Sequence, residues 1–164
     1  CNMYLASGVA PVPQMLEAGI TVGLGLDGAA SNNSQDMVET LKTAALLHKV
    51  HTRNPKIITA RKVLEMATID GARSIGMEKE IGSLEVGKKA DFFLFDPSRT
   101  AKSTPMHDPI STLVYSSSAS NIETVVINGE VVMEEGRILG MDEAAYYRRI
   151  QEYALKRADE VYGS

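Results

Sequence analysis

The chain has 164 residues, with 17 Lys+Arg against 21 Asp+Glu, a formal net charge of -4, 44% apolar residues and a single cysteine. That apolar content excludes wholesale disorder, and the mild acidity excludes general binding to a phosphate backbone, since no basic stripe exists to release counterions. The longest apolar runs are too short to span a bilayer, and one cysteine forms no internal disulfide, so the composition points to the cytoplasm.

The chain opens Cys1-Asn2-Met3-Tyr4 without an initiator methionine and reaches a glycine turn within eight residues. This start reads as the C-terminal part of a longer polypeptide. Pro11-Val12-Pro13 suits a helix start and Gly19 a left-handed C′ position. Residues 20–26, Ile-Thr-Val-Gly-Leu-Gly-Leu, are uncharged and rich in β-branched residues, as a strand buried on both faces requires. Gly23 and Gly25 within it imply that something packs closely on that strand. Asp27 ends the strand and opens a loop of small polar residues, Gly28-Ala29-Ala30-Ser31-Asn32-Asn33.

An amphipathic helix is expected over residues 35–51, with Met37, Leu41, Ala44, Ala45 and His48 on one face and Asn33 or Ser34 as candidate caps. Thr59 can cap a further helix through Met66, and Asp70 a short one ending at Gly76. Helix, strand, loop, helix is the repeating unit of an α/β protein with a parallel sheet. Beyond Met77 the character changes. Residues 122–127 and 130–133 are β-branched runs joined by Asn128-Gly129, the strongest short-range hairpin signal. Asp142 then caps a terminal helix whose apolar stripe is Ala145, Tyr146, Ile150, Tyr153 and Val161.

Asp27 is the leading candidate for chemistry, because a carboxylate at the C-terminal end of a buried strand is where barrels and open sheets place reacting groups. The structural alternative, an Asp-Gly turn or a helix cap, has comparable weight from the residues alone. His48 and His51 stand three apart late in a helix, away from any strand end, and read as structural rather than as a ligand pair. His107, in His107-Asp108-Pro109, reads as a loop-placing residue. Cys1 has no adjacent base that would make it a nucleophile.

Several strings together resemble the amidohydrolase superfamily, in particular its aminohydrolase branch of adenosine-type deaminases, guanine deaminases and triazine hydrolases. They are Leu5-Ala6-Ser7-Gly8-Val9-Ala10-Pro11, Gly23-Leu24-Gly25-Leu26-Asp27-Gly28, Ala67-Thr68-Ile69-Asp70-Gly71-Ala72-Arg73, Ile81-Gly82-Ser83-Leu84 and Val126-Ile127-Asn128-Gly129. The resemblance implies an α/β fold, the C-terminal part of a (β/α)8 metallo-dependent hydrolase barrel, followed by a small β-sandwich piece and a terminal helix. Residues 1–77 would hold the loop after strand 7, strand 8 and the following helices, residues 78–138 the β piece, and residues 139–164 the helix.

The resemblance further implies one divalent metal, zinc or iron, in the complete enzyme, incomplete or absent in this chain. Asp27 would be a metal ligand and the acceptor of a proton from the metal-activated water. Asn2 and Ser7 would bind substrate, and Ser31 and Asn32 would hold Asp27. The His-x-His pair, the two later metal histidines and the proton-delivering glutamate of the family have no counterpart here. The expected substrate is a small heterocycle such as a purine, pterin or triazine, deaminated or dechlorinated by water. The missing N-terminal part of the barrel is the expected partner, with neither nucleic acid nor membrane, and a homo-oligomer is left open. The rival reading is a non-catalytic interaction or structural module.

Overall fold

A computed structural model describes residues 2–163; Cys1 lies outside the described residues. The N-terminal half is helical. After a single turn, α1 (Asn2–Leu5), comes α2 (Val12–Glu17), with proline in its first turn and Gly19 at φ +76° beyond its end, as its sequence requires. Then follow α3 (Ala29–Asn32), α4 (Met37–Thr52), α5 (Ala60–Ala67) and α6 (Ile69–Ser74). The cap of α4 is Asp36, not Asn33 or Ser34: its Oδ1 accepts from Val38 N at 2.8 Å and Glu39 N at 3.2 Å. Asn33 instead closes α3 in the left-handed region. Thr59 caps α5 by accepting from Lys62 N at 3.2 Å.

Two local expectations are corrected. Residues 20–26 run extended but belong to no ladder, because a strand needs a partner to pair with and the described residues supply none. They are accordingly not buried on both faces: Ile20 is 49% exposed, and Val22 and Leu24 are half-buried. Asp70 does not cap α6. It sits in the first turn, 6% exposed, and binds Lys62 of α5 at 2.6 Å and Arg73 at 2.8 Å.

The only sheet among the described residues has four antiparallel strands in the order β1 (Phe92–Phe95), β2 (Ile122–Ile127), β3 (Glu130–Glu134) and β4 (Arg137–Ile138). Its β2–β3 hairpin turns on Asn128 at φ +52° and Gly129 at φ +82°, the pair of left-handed residues a type I′ turn demands. Between β1 and β2 the chain forms α7 (Pro109–Ser116), started by Asp108, which accepts from Ser111 N at 2.8 Å. Rather than lying with the sheet alone, α7 packs on α4 and α5. Leu113 and Val114 join Val12, Leu41, Ala45, Ile58, Ala60, Val63 and Met66 in one apolar core.

A buried polar knot ties this region together. Asn121, fully buried, donates through Nδ2 to Asp96 O, and its Oδ1 accepts from Thr100, Ser103 and Ser118 N. The last helix, α8 (Glu143–Tyr162), is capped by Asp142 but buries none of its residues; its apolar stripe is uncovered. Among the described residues no helix is long and apolar enough to cross a membrane.

Candidate active site

Asp27 follows the extended segment and takes a left-handed backbone, with φ +64°. Aspartate tolerates this region because its short carboxylate bonds to nearby backbone. Here Oδ1 accepts from Gly28 N at 2.6 Å. The side chain is exposed at the segment's end. Thus Asp27 both sets a left-handed backbone at the Asp-Gly step and keeps its side chain exposed, and the two readings of its sequence are compatible. Gln35, for which no sequence signal stood out, braces this step. Its Nε2 donates to Asp27 O and to Ser34 O, both at 3.1 Å.

The other candidate residues surround Asp27 in sequence, and their local bonds are simple. Ser31 N donates to Gly28 O within the first turn of α3. Asn32 Nδ2 donates to Ser34 O at 3.0 Å. Asn2 begins α1 and accepts at its carbonyl from Ser7 N at 3.2 Å; both side chains are exposed. Ser34, in turn, donates to Glu39 Oε2 at 2.7 Å, which fastens the loop to the start of α4.

The segment before Asp27 rests on the α5–α6 corner. Leu24 N donates to Met66 O at 2.9 Å. A Cβ on Gly23 would lie 2.8 Å from Ser74 Oγ and 3.0 Å from Gly71 Cα, so backbone meets backbone there. Gly25, by contrast, faces open space. The close packing expected at both glycines occurs at the first alone.

His48 is buried in the inner face of α4, 5% exposed, and its Nδ1 has no hydrogen-bond partner among the described residues. Burial, and then the neighbouring charge of His51, hold its imidazole below the usual value. His51 and His107 are exposed. Buried His48 and exposed His51 and His107 thus form no metal-holding group with Asp27 among the described residues. Among the described residues no three His, Cys, Asp or Glu side chains gather in a way that holds a metal ion. Zinc takes three or four protein donors, so Asp27 alone is not a metal site and the residues present do not fit one.

A cleft of about 1030 Å³ opens between the helices and the sheet, lined by residues such as Leu24, Met37, Leu64, Ile75, Phe93 and Val125. Its walls are mostly apolar, and its one lining carboxylate near the loop, Asp36, is committed to capping α4. The cleft is an apolar surface rather than a polar reaction chamber.

Residues 1–132 match the amidohydrolase family. The chain belongs to that family. It is 48% identical over 160 residues to the 5'-deoxyadenosine deaminase of Methanosarcina barkeri, covering 98% of this chain and 35% of that protein. It is 46% identical over 155 residues to the 5-methylthioadenosine/S-adenosylhomocysteine deaminase of Syntrophomonas wolfei, covering 94% and 36%. Among solved structures, an adenosine deaminase from Xanthomonas campestris with bound zinc superposes with a TM-score of 0.89 at 34% identity, over 94% of this chain and 35% of that one. The amidohydrolase chain described here thus spans about 35% of the length of the curated relatives it matches.

Proposed function

We propose that this chain is the C-terminal portion of a hydrolytic deaminase acting on an amino-substituted purine of the adenosine type, with Asp27 as the acceptor of a proton from the attacking water. The observation that carries the reading is the exposed Asp27 carboxylate at the end of an extended segment, with Oδ1 anchored by Gly28 N. The names of the two deaminase relatives support a purine and favour deamination over dechlorination.

In the proposed step the oxygen of water bonds to the ring carbon that bears the amino group. One water proton passes to Asp27 as the hydroxyl adds across the ring C=N bond, whose nitrogen takes a proton from solvent; Asp27 then returns its proton to the amino group, the C–N bond breaks and ammonia departs, and the hydroxyl proton is lost to solvent to leave an oxo product. An ionised carboxylate is needed for the proton transfer. A divalent metal, zinc or iron, is proposed for the complete enzyme alone, since the one carboxylate present here does not hold it. Asn2 and Ser7, exposed on the segment ahead of α2, are the proposed substrate contacts. Ser31 and Asn32 are proposed to steady the Asp27 turn. The N-terminal part of the barrel is the proposed partner that completes the site, and the cytoplasm the proposed compartment.

The test is to express the complete polypeptide carrying this chain and supply 5'-deoxyadenosine and, separately, a chlorinated aminotriazine. Stoichiometric ammonia release from the nucleoside, with little chloride release from the triazine, is the expected result. Chloride release without ammonia would replace deamination by dechlorination. Neither product with a folded, metal-supplied protein would favour the non-catalytic module.

A further inference from the structure

We infer that helix α6 is the seat that positions Asp27, with Gly23 as the positioning residue on the strand side; the inference rests on the proposed role of Asp27. The extended segment that carries Asp27 has no ladder among the described residues. Among the described residues its interior backbone bonds to another element through Leu24 N to Met66 O, beside the close contact at Gly23, while the Asp27 carbonyl at its end is braced by Gln35. Gly23 does not have a left-handed backbone, so glycine is needed there for room and not for conformation.

The seat is itself held from two further sides. Asp70, buried in the first turn of α6, is gripped by Lys62 from α5 and by Arg73 from the helix's own last turn. On another face Gly82 lies against α6, where a Cβ would come 2.8 Å from Ala72 Cβ and 3.0 Å from Ile69 Cα. Ser74 Oγ, the atom nearest the missing Gly23 side chain, is tied down by its bond to Gly71 O at 2.7 Å. A helix fixed in this way cannot yield, so a larger residue at position 23 must lift the segment.

Ordinary carbon contact is about 3.5–4.0 Å, so a methyl group at Gly23 lifts the segment by roughly 0.5–1 Å. Asp27 lies four residues further on, about 13 Å along an extended chain. Reacting groups need to be held within about 0.5 Å, and a misplacement of about 1 Å costs on the order of 10² in rate.

The test is Gly23→Ala in the complete polypeptide, read in two ways. Turnover should fall roughly 10–100-fold, while KM stays within about threefold, because the displaced group acts in the chemical step. Hydrogen exchange at the Leu24 amide should rise at least about tenfold, while the core amides of Ala45 and Val63 keep their protection. If Gly23→Ala alone does not fold, Gly23→Ala with Ser74→Gly removes the 2.8 Å contact with Ser74 Oγ, keeps the 3.0 Å contact with Gly71 Cα, and carries the same two readings. Unchanged Leu24 exchange, or equal loosening at Ala45 and Val63, would overturn the inference. If Asp27→Ala keeps full turnover, the role of Asp27 fails, and the Leu24 exchange still decides whether α6 seats the segment.

Discussion

Replacing Asp70 by asparagine removes the charge at the centre of a small buried ion-pair network while keeping the side chain's shape. Asp70 is 8% exposed at its side chain, with Lys62 Nζ at 2.6 Å and Arg73 at 2.8 Å. Hydrogen bonds to charged groups contribute about 1.5–3 kcal/mol each. Lys62 and Arg73 keep 32% and 51% side-chain exposure, so water replaces part of what each loses. The net destabilisation is therefore about 2 kcal/mol, less than the roughly 3–5 kcal/mol for breaking a fully buried pair. For a chain of this length that lowers Tm by about 4–8 °C.

The pH dependence carries a second signature of the same network. The hydrogen bond from Lys62, and then that from Arg73, hold the Asp70 carboxyl below the usual range against the opposing effect of burial. Its contribution is complete above the unfolded value, about 3.9, and is lost as pH falls through the lower folded value. Lys62 is raised by the same bond, so its contribution is lost at the alkaline end, as pH rises through the raised value. Urea unfolding from pH 7 down to about pH 2 should show the parent losing this increment, and Asp70→Asn should show a flatter profile. A change below about 0.5 kcal/mol at pH 7, the range of ordinary surface substitutions, would refute the reasoning.

Asp36→Ala removes the cap of α4 and should cost about 1 kcal/mol in chemical denaturation. Gly129→Val forces a β-branched residue to φ +82° and should cost about 1–2 kcal/mol, measured by thermal unfolding. Asn121→Ala leaves the Asp96 carbonyl and the Ser103 and Thr100 hydroxyls short of a partner. Its cost should be about 2–4 kcal/mol, and a near-neutral result by urea titration would show that water replaces the amide.

The elements that were legible in the sequence are those set by neighbours along the chain. Thr59 as a cap, Gly19 in a left-handed C-terminal position, and the Asn128-Gly129 hairpin are all decided within a few residues. Residues 20–26 carry the composition of a strand, but a ladder is made by partners elsewhere, and the described residues do not provide them. Asp70 has the residue type of a cap. Its role instead follows from Lys62, eight positions earlier and brought beside it by the turn between α5 and α6. The start of α7 was available in Asp108-Pro109, a capping residue followed by a proline in the first turn, yet its packing against α4 is a long-range fact. Asp27 was identifiable from its place after an apolar run. Gln35 was not, since its bond to the Asp27 carbonyl depends on how α3 folds the intervening loop.

The most direct measurement is the turnover of Asp27→Asn against the parent, in the complete polypeptide, with 5'-deoxyadenosine and at equal protein and metal content. Asparagine keeps the size of the side chain and the turn, but it cannot accept the proton of an attacking water. Loss of a positioned general base predicts a fall of about 10²–10⁴ in kcat with little change in Tm. Turnover within a few-fold of the parent, in a protein whose Asp27→Asn substitution is verified, would contradict the assignment of Asp27 as the proton acceptor.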